Sequence, residues 1–458
     1  MTIERLKSHE EYREEKFKEL KVSLDSDDQE EACKTLDKIV SLDFPVRDEL
    51  YLKMNFSQVE IPWSYVTPEE EMQSRLEVYN HACFGSCKSY IAKTIKKNEK
   101  LSVSQQREAL QKLQSLIISG SNCESDWNST YQNEILPDND RIYQHTFLLD
   151  KYNGAGCVPL KTGTTNWQRS FGALRFLSDE KPTVDPEMIN SEIAFKLVPR
   201  YAWKYENRVF GSPEIWERNN FPFHGIDLMK QKKSLRKIRL NDPLFQKFEE
   251  QREKSATRPT EEQKEIIDKC GEKAFQKRVE DKKYLRFINV RHPFSRLFSA
   301  WRQKFSVNFH NAQKFEPIAA IIREQQKAAS GEEDIIPPGF VCSFKGFLRY
   351  VILKSKEDKE TMNHHWVSYQ DSCEPCFLKL NAITKQETSH QDSAYIFEKM
   401  SIRDKTYMPG MYDTHVPDAT EKIFREHQVD KEIIEELYIV YYNDFILFNY
   451  TIDSFLEN

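Results

Sequence analysis

The chain has no uncharged apolar run near the ~18 residues that a membrane-spanning helix needs. The stretch IVYYNDFILFNYTI is short and broken by Asp444. The start, MTIERLKSHEEYREEKFKEL, is charged and lacks the apolar core of a signal peptide, so no anchor is expected from these residues. No GxxxxGK[ST] occurs, which excludes a Walker A loop and argues against a nucleotide kinase. There is no excess of positive charge: 67 Lys and Arg stand against 73 Asp and Glu, for a net charge of −6. A globally basic nucleic-acid binder is thereby excluded. No second CxxC accompanies Cys373-x-x-Cys376, whereas a structural zinc site wants four ligands. His364, His365 and Cys342 are the candidates to complete one, and no metal is expected. Internal repeats and low-complexity tracts are absent too.

What is present divides the chain. A hydrophobic content of 39% is low for a compact protein of 458 residues, while 12% aromatic argues against general disorder. The polarity must lie in helical or appended segments. Residues 1–135 carry charged, helix-favouring runs, and in SVSQQREALQKLQSLIIS the residues Leu110, Leu113 and Ile117 recur at helical spacing. This part reads as a helical stem or appendage, through which homo-oligomers could form, although sustained heptads are lacking. From about residue 140, apolar β-rich runs alternate with amphipathic helices, the pattern of an α/β fold with a mostly parallel sheet. The nine cysteines leave at least one unpaired in an oxidising compartment. Asn55, Asn128 and Asn449 head glycosylation sequons; Asn449 lies in an apolar block that makes it a poor acceptor.

Two segments carry chemistry. In YLRFINVRHPFSRLFSAWRQKF, an apolar strand ends at Arg291, a Pro-started turn follows, and a helix carries Ser299 eight residues after the arginine. A guanidinium fork and a hydroxyl so placed suit a phosphate. Alone, such a pair is a weak signal. In GCVPLKTGTTNWQRSFGAL, the run CVPL predicts a short strand, Lys161 to Asn166 a tight loop, and Trp167 to Leu177 a helix. Gly163 permits close backbone approach, and the N–H groups that follow make an anion site at the helix start.

Together these segments resemble the Golgi carbohydrate sulfotransferases, in particular the group acting on chondroitin, dermatan and the HNK-1 glycan. Lys161, Thr165, Asn166, Trp167 and Arg169 match that family's first motif. Val290, Arg291, Pro293, Phe294, Arg296, Leu297, Ser299, Ala300, Trp301, Arg302, Lys304 and Phe305 match its second, with His292 where many members carry an acid. His365-Trp366, Cys373-Glu374-Pro375-Cys376 and Lys385-Gln386-Glu387-Thr388 with Asp392 form a third block, and Tyr442 to Tyr450 a fourth. The resemblance runs over residues 140–455 in the family's order. It implies a P-loop-like sulfotransferase fold, with a catalytic domain over 140–458 and insertions near 240–283 and 326–339. The first insertion is expected as an exposed helix and the second as a surface loop.

The resemblance further implies 3′-phosphoadenosine 5′-phosphosulfate (PAPS) as donor, a glycan or proteoglycan acceptor, and no metal. Lys161 would face the leaving oxygen. Thr162, Gly163, Thr164, Thr165 and Asn166 would cradle the 5′ end, the hydroxyls of Thr164 and Thr165 included. Arg291 and Ser299 would hold the 3′-phosphate. His224, in FPFHGIDL between the two motifs, is the first choice for the base, and His365 is the second. The basic run from Lys230 to Arg239 would attract a polyanionic glycan. Golgi lumen and membrane are the implied location, with a truncated or a soluble form as the alternative that the missing anchor leaves open, and Cys373 and Cys376 are implied to lie in a disulfide-bearing loop. An inactive, glycan- or nucleotide-binding member is the rival reading. The presence of Lys161, Arg291 and Ser299 argues against it.

Overall fold

The computed structural model describes residues 18–20, 22–24, 29–41, 66–84, 101–119, 141–174, 185–189, 261–307, 312–330, 335–358, 361–410 and 418–456. Two compact units divide the chain, one within Met1–Val59 and Gly172–Asp281, the other within Glu60–Phe171 and Lys282–Asn458.

The second unit is built on a four-stranded sheet in the order β1 (Thr146–Leu149), β2 (Gly154–Cys157), β3 (Leu285–Val290) and β4 (Ala382–Lys385). The β1–β2 pair is antiparallel, and the β2–β3 and β3–β4 pairs are parallel. The sheet is mostly parallel, as the alternating pattern predicts. Strand β2 has almost no side chains, and its register partner explains why. Gly156 faces Phe287 across the pair, and a Cβ there would fall 2.2 Å from the Phe287 ring. Trp167 then packs on Phe287 (5.1 Å), Phe171 (5.4 Å) and Phe397 (5.8 Å), closing the core over this strand.

Each parallel strand leads into a helix or its first turn. The longer helices that frame the unit are α1 (Glu69–Phe84), α2 (Val103–Ile118), α3 (Thr164–Ala173), α4 (Pro293–Lys304), α5 (Ala312–Ser330), α6 (Phe344–Glu357), α7 (Ser389–Lys399) and α8 (Lys431–Val440). Strands β2, β3 and β4 run the same way, so the segments that follow them leave from one edge of the sheet, where ligands of such sheets bind.

Helices α1 and α2 fall in the region predicted as an appendage, yet they belong to the unit that holds the sheet. Arg75 of α1 donates to Ile383 O (2.9 Å) and pairs with the buried carboxylate of Asp392 (2.7 Å). Tyr79 donates to Pro375 O (2.6 Å), and Cys83 is bonded to Cys376. On α2, Gln114 donates to Tyr450 O (2.8 Å) and Ser104 to Glu435 (2.7 Å). The charged sequence signalled their solvent faces, while the partners that bury the other faces lie some 300 residues away. Those faces are thereby used within the unit.

In the other unit, Gln29–Ser41 packs on Glu261–Glu280, joined by a Cys33–Cys270 disulfide and by Asp37 with Lys277 (3.0 Å) and Arg278 (2.6 Å). The helix predicted within the 240–283 insertion is present but not simply exposed, since Ala274, Phe275 and Val279 are buried. Of the loop predicted over 326–339, residues up to Ser330 continue helix α5, and Gly339 makes a left-handed turn at φ 84°.

Cys373 and Cys376 do not share a partner. Cys373 bonds to Cys157 at the end of β2, and Cys376 to Cys83, so neither sulfur is available to zinc. Cys342 is a buried thiol. Replacing Cys83 and Cys376 together with serine is expected to cost roughly 2–5 kcal/mol in chemical denaturation. A loss under ~1 kcal/mol would show that α1 is held by its other contacts alone.

Candidate active site

The loop after β2 is shaped from within. Lys161 and Gly163 both have left-handed backbone, at φ 76° and 82°. A lysine there is strained, whereas glycine is at ease. The hydroxyls of Thr162 and Thr164 each donate to Pro159 O at 2.8 Å. These hydroxyls therefore fold the loop, including that of Thr164, which the resemblance assigns to the donor. Thr165 is exposed and Asn166 half-buried. Asn289 of β3 donates through Nδ2 to Thr162 O and accepts from Thr384 Oγ1 of β4 (2.7 Å), tying the loop to the two strands beside it. A Cβ on Gly163 would lie 2.3 Å from Gln386 Oε1 in the segment after β4. Asn166 is the first residue of α3 whose N–H finds a carbonyl behind it, Gly163 O at 2.9 Å. The N–H groups of Thr164 and Thr165 open the helix ahead of it, where the dipole favours an anion.

At the end of β3, Arg291 is buried and its backbone is fixed by one side chain. The Tyr369 hydroxyl accepts from Arg291 N (2.9 Å) and donates to Arg291 O (2.8 Å). Asp444 in turn accepts from Tyr369 N at 2.9 and 3.0 Å. His292 caps α4: its Nδ1 accepts from Phe294 N (3.3 Å), so Nε2 carries the proton that reaches Thr451 O (3.0 Å). Its ring stacks on Phe455 at 5.1 Å. This is a structural histidine. Ser299 stands half-buried two turns into α4. Arg296, on the same helix, joins three of the sequence blocks. It donates to Leu160 O (3.0 Å), Val367 O and His364 O (3.5 Å), and lies 4.7 Å over the Tyr369 ring.

The electrostatics of the centre are one-sided. Burial pushes the Lys161 ammonium down to about 6, and its strongest charged neighbours are Lys304, Arg291, Arg296 and Arg302, all cations. Arg291 is also lowered by burial, with Glu387 as the leading opposing charge. His365 is held well below the usual imidazole range by burial, then by Lys304, Lys161, His364 and Arg296. Its tautomer follows from one acceptor. Asn363 Oδ1 accepts from His365 N (3.1 Å), so it also accepts from His365 Nδ1 (2.6 Å), and Nε2 is left with its lone pair. The structure thus brings together Lys161, Arg291 and His365. His224 and the run from Lys230 to Arg239 lie outside the described residues.

Four contributors escaped sequence reasoning. Asn289 is the polar residue within the apolar run YLRFINV, and that was its signal. Arg296 and Lys304 stood in the motif without a role. Tyr369 gave no signal, because its two partners, Arg291 at the end of β3 and Asp444 in the helix Tyr442–Leu447, are distant in sequence.

Buried cations drawn together without an intervening acid, beside a helix start, form a centre for a polyanionic ligand on an α/β frame. A phosphorylated donor fits the residues present. The sequence pattern of the Sulfotransferase family matches residues 144–451, and the chain belongs to that family. It is similar to Carbohydrate sulfotransferase 11 of Mus musculus, 30% identical over 182 residues that cover 38% of this chain and 49% of that protein. Carbohydrate sulfotransferase 14 of Danio rerio is 30% identical over 172 residues, 37% of this chain and 45% of the relative. Carbohydrate sulfotransferase 9 of Homo sapiens is 28% identical over 174 residues, 37% and 38% respectively. The match thus spans about half or less of each relative's length. No solved structure matches.

Proposed function

We propose that the chain is a PAPS-dependent carbohydrate O-sulfotransferase, acting on a glycan hydroxyl of a chondroitin, dermatan or HNK-1-type acceptor. The observation that carries this reading is Lys161: a lysine in a left-handed turn of the loop that opens a helix, pushed down to about 6 by burial and by cations that include the buried strand-end Arg291. The donor supplies an activated sulfuryl group on a phosphate leaving group. Lys161 neutralises the charge that grows on the bridging oxygen, while the N–H groups of Gly163, Thr164 and Thr165 hold the adjoining phosphate. Arg291 and Ser299 hold the 3′-phosphate and so select this donor over ordinary adenosine nucleotides. His365 Nε2 takes the acceptor proton, with Asn363 fixing its tautomer; His224 is the other candidate for that step.

The clamp has a direct test. Arg291→Ala is expected to weaken adenosine 3′,5′-bisphosphate binding by roughly 2–4 kcal/mol in calorimetry, with 5′-AMP binding nearly unchanged. Equal losses for both nucleotides would remove the 3′-phosphate from Arg291.

The location proposed is the Golgi lumen. Three disulfides among the described residues support an oxidising compartment. No helix among the described residues is long and apolar enough to cross a membrane. In that compartment Asn449 is a glycan acceptor, for it is exposed in a left-handed turn at φ 51° rather than buried with its apolar neighbours. Protein from a secretory host should shift in mobility on treatment with peptide N-glycosidase, and Asn449→Gln should remove part of that shift. An unchanged shift in the variant would show that Asn449 is unmodified.

A further inference from the structure

Lys161, the loop N–H groups, Arg291 and Ser299 account for the donor's phosphates and its leaving oxygen. Among the described residues, Lys304 is a buried cation without a task. Lys304 closes helix α4, a place where lysine ordinarily reaches into solvent and complements the helix end. Here it is only 8% exposed, and its ammonium lies 5.2 Å from the centre of the Phe315 ring. The charge that acts on it most is another cation, Lys314. Among the described residues no carboxylate forms an ion pair with it, and the buried salt bridges of the unit, such as Arg75–Asp392, lie elsewhere. Phe315 also meets the His365 ring edge-on, at 5.8 Å between centroids. Among charged groups, Lys304 acts most strongly on both Lys161 and His365.

Burying a cation against cations is unfavourable, and it persists in a functional centre when an anion is held there. Lys161 belongs to the leaving oxygen and His365 to the acceptor hydroxyl. A cation that shares the Phe315 ring with His365, and acts on both groups more strongly than any other charge, is placed to meet the group that passes between them. We propose that Lys304 is a further catalytic residue, its ammonium binding the nonbridging oxygens of the sulfuryl group during transfer. This rests on the sulfotransferase reading above. In the step, the acceptor oxygen forms a bond to sulfur and its proton goes to His365 Nε2. The bond from sulfur to the bridging oxygen breaks, and its electron pair stays on the phosphate oxygen beside Lys161. Lys304 keeps its proton throughout, supplying charge and position.

Lys304→Met and Lys304→Arg test the assignment by binding as well as by rate. Adenosine 3′,5′-bisphosphate has no sulfuryl group, so both variants are expected to bind it within about threefold of wild type. Inorganic sulfate, titrated by calorimetry onto protein loaded with the bisphosphate, should bind at least tenfold more weakly to the methionine variant than to wild type or the arginine variant. In turnover the methionine variant should lose about 10²–10³ in kcat, as when one preorganised charge is removed, and the arginine variant should recover at least tenfold of it. A tenfold loss of bisphosphate affinity would make Lys304 a phosphate ligand and overturn the proposal. So would a higher acceptor KM with kcat intact, which would mark a site for an acidic group of the acceptor. Equal sulfate binding by wild type and the methionine variant overturns it as well. Should the methionine variant not fold, an arginine variant at wild-type kcat and sulfate affinity supports a charge role, and one indistinguishable from background contradicts it. Wild-type protein that binds no bisphosphate at all would instead bring down the sulfotransferase reading itself.

Discussion

Lys161→Ala is expected to lower kcat by about 10²–10³-fold with little change in the donor's KM. Before transfer the bridging oxygen carries little charge, so the ammonium contributes little to ground-state binding; as the bond to sulfur breaks, that charge grows. The product keeps it, so adenosine 3′,5′-bisphosphate should bind the variant about tenfold more weakly. Protons report the same residue. In the unliganded protein burial and cationic neighbours hold Lys161 down to about 6, so near neutral pH it is mostly uncharged. An anionic ligand raises that value, and protein and ligand together take up a proton. Affinity should therefore be greatest below pH ~6 and decline as pH rises through the window between the free and bound values. Bisphosphate titrated at pH ~7.5 in buffers of different ionisation enthalpy should show proton uptake in wild type and much less in Lys161→Ala. Uptake that is equal in the two proteins would move the titrating group elsewhere, Lys304 being the next, at about 8.

His365→Ala carries the second large effect. A missing general base costs on the order of 10²–10⁴ in rate, and bisphosphate binding should be unaltered. Burial and neighbouring cations keep the free imidazole neutral, which leaves Nε2 open to accept a proton but weakens it as a base. Donor anions at Lys161 and Lys304 offset those cations, so basicity rises only once the donor is bound. Asn363→Ala should reproduce part of the loss, because it frees the other tautomer. His224→Ala is the necessary comparison. If its pH–rate profile with saturating donor loses the acidic limb while that of His365→Ala keeps it, the base is His224.

The parts legible in the sequence were those written in consecutive residues. Arg291, the Pro-led turn and the helix with Ser299 follow one another over a few residues, and so do Lys161, Gly163 and the helix start. Boundaries were less legible where tertiary contact decides them. CVPL predicts a strand, but the sheet takes Gly154–Cys157, where Gly156 makes room for the ring of Phe287 and Gly154 for the Met400 side chain, a matter of packing rather than of β preference. Helix α3 starts at Thr164 rather than Trp167, since the threonine hydroxyls turn back onto Pro159. Helix α1 gave its charges away but not its core face, as Arg75 finds Asp392 and Cys83 finds Cys376 only across the folded unit. Tyr369 is the strongest case. Its hydroxyl closes on the backbone of Arg291, and nothing local foretells that.

Transfer of labelled sulfuryl from PAPS to a panel of desulfated chondroitin, dermatan, heparan and glucuronyl-terminated glycans decides the matter. Label should appear on a chondroitin, dermatan or glucuronyl-terminated acceptor with wild-type protein and fall to about 1% or less with Lys161→Ala. Protein that binds adenosine 3′,5′-bisphosphate yet labels none of these glycans would contradict the transferase reading and leave a family member that binds without turnover.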